Sequence, residues 1–147
     1  MALKLIAAQG MTVVVDQSTA IPPSPPVPPP PPVIPAGVQA TIVVSPPTGI
    51  KVKAEAKLVH RDGDQITVTN ITVPTAGATI PDPGPYDVAM VATATKDKAE
   101  GIEVLREDDH SETISATPKI PGSPPVDYPV SFKCIVSVAG QIKAKGQ

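Results

Sequence analysis

Stretches that alternate apolar and polar residues recur along this chain, broken by clusters of proline, glycine and charge. A period of two puts successive side chains on opposite faces of a pleated strand, so the pattern predicts half-buried strands rather than amphipathic helices. Residues 2–16 read as a β-like opening that ends in Met11-Thr-Val-Val-Val-Asp16 and is released through Gln17-Ser-Thr-Ala20. Gly37-Val-Gln-Ala-Thr-Ile-Val-Val44 reads as a further strand, followed by a turn at Ser45-Pro-Pro-Thr-Gly49. The clearest alternation lies in residues 50–59, which predict one continuous strand. Ile50, Val52, Ala54, Ala56 and Leu58 fall on one side, and Lys51, Lys53, Glu55 and Lys57 on the other.

His60-Arg-Asp-Gly-Asp64 is a turn, with Asp62-Gly63 its strongest signal. Gln65-Ile-Thr-Val-Thr-Asn-Ile-Thr-Val73 alternates until Asn70, where the phase changes and a bulge, bend or break is expected. Pro74 to Pro85 is loop or edge structure, Tyr86–Thr95 is strand-like, and residues 96–101 form a polar turn. A short strand at Ile102–Leu105 leads into a charged turn at 106–110. Only Val88–Glu100 has the alanine content to compete as a helix. Pro118 to Pro129 is a proline-rich connector, Val130–Ala139 supplies one or two closing strands, and the last eight residues are polar. Leu58–Asp64 and Val104–His110 echo each other, both placing two apolar residues before a charged turn. The fold class expected is all-β: a compact or conical domain of short strands joined by proline- and glycine-rich connectors.

Residues 21–35 interrupt this plan with a run dominated by proline. Proline fixes φ and removes the amide donor, so the run is expected to be polyproline II, reaching about 45 Å if straight at about 3.1 Å per residue. The predicted organisation is an N-terminal strand region at 1–20, a polyproline strap or linker at 21–36 and a β-rich domain at 37–147.

The 147 residues include 21 prolines and 10 glycines, one phenylalanine, two tyrosines and no tryptophan. Apolar content is therefore carried by valine, isoleucine and alanine, which suits strands and thin, tightly stacked layers rather than a roomy pocket. A formal net charge of −2 gives no broad basic field for phosphate backbones, which argues against nucleic-acid binding. The single cysteine, Cys134, has no intrachain disulfide partner. No run of 18 apolar residues occurs, and the prolines of 21–35 lack the amides a membrane span requires.

Candidate chemistry is sparse. His60, His110 and Cys134 are the only imidazoles and the only thiol, and zinc or iron is the cofactor they could ligate. Their spacing matches no compact metal motif, and the structural alternative is two turn histidines and one buried strand cysteine. Asp62, Asp64, Glu107, Asp108 and Asp109 match no calcium loop, and no glycine pattern for a nucleotide cradle is present. The chain reads as structural rather than enzymatic.

Residues 49–64, Val104-Leu-Arg-Glu-Asp-Asp109 and Ala139-Gly-Gln-Ile-Lys-Ala-Lys145 together resemble the PAAR-like proteins that cap the spikes of contractile phage tails and related injection systems. The shared features are a strand running into a basic residue and a Gly-Asp turn, and short strands between proline and glycine connectors. The resemblance implies a conical tip seated on a trimeric spike protein, at the tip of a virion tail, baseplate or bacterial injection apparatus. Adjacent baseplate or effector proteins and transient membrane contact would follow. It also implies an apical metal, with His60, His110 and Cys134 as candidate ligands. The family's Pro-Ala-Ala-Arg motif is absent, and the proline run lies outside the family's core. The alternatives are a β-rich virion cement or decoration protein and a metal-binding hydrolase.

Overall fold

The computed structural model describes residues 4–21, 37–48, 51–54, 57–140 and 145–146. It is all-β, short-stranded and divided among several sheets, and among the described residues the only helical element is a single 3-10 turn at Pro74–Ala76. The strands fall into three successive units with the same plan. The first holds β1 (Lys4–Leu5), β2 (Thr12–Ile21), β3 (Gln39–Val44) and β4 (Lys53–Ala54). The second holds β5 (Lys57–Leu58), β6 (Gln65–Val73), β7 (Ala78–Asp82), β8 (Tyr86–Ala89) and β9 (Lys98–Ala99). The third holds β10 (Ile102–Glu103), β11 (Ile114–Ala116), β12 (Lys119–Ile120), β13 (Val126–Asp127), β14 (Val130–Val138) and β15 (Lys145–Gly146).

Each unit runs from a two-residue strand through a tight turn into an outgoing strand, then through a connector to a returning strand and a final two-residue strand. The three connectors carry 10, 4 and 5 of the 21 prolines. Proline cannot donate to a ladder, so its concentration between the long strands leaves those strands free to pair.

Antiparallel hairpins join the units. β4 pairs with β5 and β9 with β10. In the turn of the latter, Glu100 and Gly101 have φ of 53° and 82°, the left-handed pair that matches the twist of a two-residue hairpin. The third hairpin is β15 with β1, Lys4 opposite Gly146 and Leu5 opposite Lys145, so it is built from opposite ends of the described chain. Residues 50–59 are therefore not one strand. Val52 is exposed while Ala54 and Val59 are buried, an odd separation that a continuous strand cannot give and a hairpin does. Glu55 and Ala56 lie outside the described residues, as does all of 22–36 and with it most of the polyproline expectation.

The long strands form two sheets, β11-β14-β2 and β13-β12-β7-β6-β3, with β8 on β6 as well. Met90 and Ser111 bridge the two. β2 does not end at Asp16 but runs to Ile21, with a register shift on β14 between Ser131 and Lys133. β6 spans the residues its alternation predicts. Asn70 takes φ of 52°, a left-handed conformation asparagine tolerates, and the half-turn it inserts brings Ile71 and Val73 to the buried side with Ile66 and Val68. Each of these four is sealed from water, worth about 2 kcal/mol apiece in apolar transfer. With Phe132, Tyr128, Met90, Leu105 and Ile114 they form the main core. Val88–Glu100 forms no helix: β8 gives way after Met90 to irregular backbone and then to β9.

Candidate functional site

Three segments, 6–8, 59–61 and 104–106, meet and hydrogen-bond to one another. The Ala7 N–H donates to the Leu105 carbonyl (2.8 Å), the Leu105 N–H to the His60 carbonyl (3.0 Å), and the His60 N–H to the Ala7 carbonyl (2.9 Å). Each segment donates to one neighbour and accepts from the other, which closes a ring of threefold character. Bridges repeat the same cycle one residue to either side: Ile6 with Arg106, Ala8 with Val59, and Arg61 with Val104.

The turns that follow are equivalent too. Met11 donates to Ala8 (2.9 Å), Asp64 to Arg61 (3.0 Å) and Asp109 to Arg106 (3.2 Å). The residue before each donor is left-handed, Gly10 at 94°, Gly63 at 88° and Asp108 at 70°. Beneath the hairpins, Ala8, Ala54, Val59, Ala94, Ala99 and Val104 make a second, smaller core with Ile6 against it. Small side chains are required because three strands approach one axis.

Two of the three turns are pinned by the same polar set. Asp64 accepts from the Arg61 N–H (2.9 Å) and from the Thr48 hydroxyl, which in turn accepts from Arg61 Nη2 (3.1 Å). Asp109 accepts from the Arg106 N–H (2.9 Å) and from the Thr93 hydroxyl, which accepts from Arg106 Nη2 (2.8 Å). Burial alone would raise the Asp64 carboxyl, but the hydrogen bonds from His60, Thr48 and Arg61 outweigh it and hold the group below the usual aspartate value. In the first unit Ala8 and Met11 replace the Arg–Asp pair, and the Ala8 N–H goes to the Ala139 carbonyl (2.8 Å) instead. Gly140 closes that corner, where a Cβ would meet Met11 N at 2.8 Å and Ala8 O at 2.9 Å.

The residues singled out in the sequence take separate places. His60 is buried on the ring, its Nδ1 2.9 Å from Asp64 Oδ2. His110 sits half-exposed at the start of the third outgoing segment, with Nε2 2.7 Å from Asp16 Oδ2. Cys134 is fully buried on β14, and burial pushes its thiol up to about 12, far from the thiolate that a metal or a nucleophilic role requires. Among the described residues no group of three or more His, Cys, Asp or Glu is arranged to hold a metal ion. His60, His110 and Cys134 are thus not gathered as one intrachain ligand set, and each imidazole is already committed to a carboxylate.

The threefold plan was carried by a signal weaker than the turn echo. Thr48, Arg61 and Asp64 recur 45 residues on as Thr93, Arg106 and Asp109. Lys51-Val-Lys-Ala-Glu55, Lys96-Asp-Lys-Ala-Glu100 and Lys143-Ala-Lys-Gly-Gln147 mark the hairpins. The echo of Leu58–Asp64 with Val104–His110 is one residue out of register, since Arg61 corresponds to Arg106 and His60 to Leu105.

No protein-family model, no curated protein and no solved structure matches this chain. No helix of the described residues is long and apolar enough to cross a membrane.

Proposed function

We propose that this chain is a structural tip protein that caps the trimeric central spike of a contractile injection apparatus and aids membrane penetration. The observation that carries the reading is the ring of Ala7, His60 and Leu105, which gives a single chain three nearly equivalent sides. A threefold-symmetric partner presents three identical surfaces, and one such chain can answer all three at once. In this reading the ring and hairpins are distal and the opposite end of the sheets seats on the spike. A tip under load needs fixed turns and paired backbone more than a pocket. The polar pins at Asp64 and Asp109 and the close-packed corner at Gly140 supply that kind of rigidity.

A zinc or iron ion at the tip rests on the family resemblance alone and would need ligands from another chain. Metal analysis of the purified assembly tests that point.

The structure of the assembled particle tests the main reading. One copy at the distal end of each spike trimer is the expected result. Absence from that end would sink it, and many copies spread along the particle would instead identify a cement or decoration protein.

A further inference from the structure

The three hairpins share a pattern that the chain's overall charge conceals. Residues 51–58, 96–103, 143–147 and 4–5, which contain them, carry eight of the 12 lysines and arginines but four of the 14 acidic residues. The rest of the chain holds four basic residues against ten acidic ones. Lys53, Lys98 and Lys145 open the final strand of each unit at equivalent register positions, opposite Leu58, Glu103 and Leu5. The next residues, Ala54 and Ala99, are buried in the smaller core, and side chains alternate along a strand, so Lys53 and Lys98 turn outward. Lys51, Lys57 and Lys96 are exposed as well.

The neighbouring acids are largely committed to the fold. Glu103 lies 3.9 Å from Lys98, Asp108 lies 3.8 Å from Lys4, and Glu100 lies 3.7 Å from Arg61. Asp64 and Asp109 are buried in their turns, Asp62 takes the Ala92 N–H (2.8 Å) and Glu107 the Leu5 N–H (3.1 Å). These pairs partly neutralise Lys4 and Lys98, whereas Lys51, Lys53 and Lys96 make no ion pair among the described residues. The hairpins are also tied to their neighbours: Lys57 Nζ donates to the Gly140 carbonyl (2.7 Å), and Arg61 Nη1, just past β5, to the Ala99 carbonyl of β9 (3.5 Å).

Two aliphatic side chains are exposed among the charges, Val52 between Lys51 and Lys53, and Ile102 beside Glu103. The hairpin residues include no aromatic and no arginine. Lysine is a hydrated point charge that answers a phosphate without the planar fork or the stacking by which nucleic acids are commonly held. Lysines flanked by exposed aliphatics suit the boundary between lipid headgroups and acyl chains. We propose that the three hairpins form a membrane-contact surface for anionic phospholipids, with ammonium groups on headgroup phosphates and Val52 and Ile102 pressed against the acyl boundary. Clusters of about four to eight basic residues suffice to hold a protein to such a surface. The surface rests on the spike reading for its distal placement, but its lipid binding is a property of the isolated chain.

The probe is a phosphatidylcholine vesicle containing about one-third phosphatidylglycerol, sedimented with the purified full-length chain at about 0.1 M salt. The chain is expected to co-sediment with these vesicles, to ignore vesicles of phosphatidylcholine alone, and to be released as salt rises to about 0.5 M. Lys51→Gln, Lys53→Gln and Lys96→Gln together should weaken partitioning at least tenfold, each charge being worth about fivefold. Lys119→Gln with Lys133→Gln, outside the hairpins, should leave it within about twofold. All five lysines are exposed, so the unfolding midpoint should stay in place and keep the comparison clean. Equal behaviour with the two vesicle types, equal loss in the two variants, or retention on duplex DNA without vesicle binding overturns the proposal. Vesicle binding by a chain found away from the distal end of the spike would remove the spike reading and leave the lipid surface standing. Failure to bind by a chain found at that end would do the reverse.

Discussion

His60 Nδ1 lies 2.9 Å from Asp64 Oδ2, with both side chains sealed from solvent at the threefold ring. The pair fixes the one imidazole of the ring and the turn that follows it, because the same carboxylate oxygen accepts the Arg61 N–H. Removing one partner leaves the other buried without compensation. Asp64→Ala is expected to destabilise the fold by about 3 to 5 kcal/mol, measured as the shift of the urea midpoint at neutral pH.

The Asp64 carboxyl is held below its ordinary value in the folded chain. A group depressed on folding stabilises fully above its unfolded pKa, near 4, and that contribution is lost as pH falls through the folded value. Stability should therefore decline in acid below about pH 4. An Asp64→Asn variant, already weakened at neutral pH, should show a shallower acid decline. Urea titrations between pH 2 and pH 7 measure both slopes, and parallel slopes would contradict this account.

Gly140 and Gly63 are both left-handed, yet only Gly140 is crowded. Alanine at 63 meets open space and carries the conformational penalty alone, about 1 kcal/mol. Alanine at 140 must also push into the Ala8–Met11 backbone, for a total of about 3 kcal/mol or more. Paired denaturation curves should show Gly140→Ala clearly the more damaging.

Cys134, with its thiol raised to about 12 by burial, should be inert in the native chain. Modification by an aromatic disulfide reagent at pH 8 is expected to run roughly a hundredfold or more slower than after unfolding. Rapid labelling of the folded protein would show that β14 opens without global unfolding.

Because β1 and β15 form the third hairpin, joining Gln147 to Met1 and opening the chain between Glu100 and Gly101 should preserve the fold. Cooperative unfolding and an unchanged β spectrum are expected. Loss of both would mean that the β9–β10 turn nucleates the structure.

Alternation located β6 and β14 well, since each has one buried face and lies within a sheet. It also caught the phase change at Asn70, where the left-handed residue does what the broken pattern implies. It failed at 50–59 because an alternating pattern can continue in sequence while the strand reverses in space, as the pairing of Lys53 with Leu58 and Ala54 with Lys57 shows. The threefold organisation was harder to read for a different reason. Its ring is made of backbone hydrogen bonds, and Ala7, His60 and Leu105 share no side-chain chemistry. The sequence betrays it through the recurring Thr, Arg and Asp positions, which the first unit lacks, and through the Lys-x-Lys repeats at 51, 96 and 143.

The split hairpin also governs the order in which the structure can be made. β1 and β2 emerge before the strands that follow them, and their partners β15 and β14 arrive only after every intervening strand has been synthesised. Pairings of such long sequence separation are slow to form. β2 must meanwhile stay out of wrong ladders, and although the ring needs the chain only as far as Arg106, the hairpin of β1 cannot close until residues 145–146 have emerged.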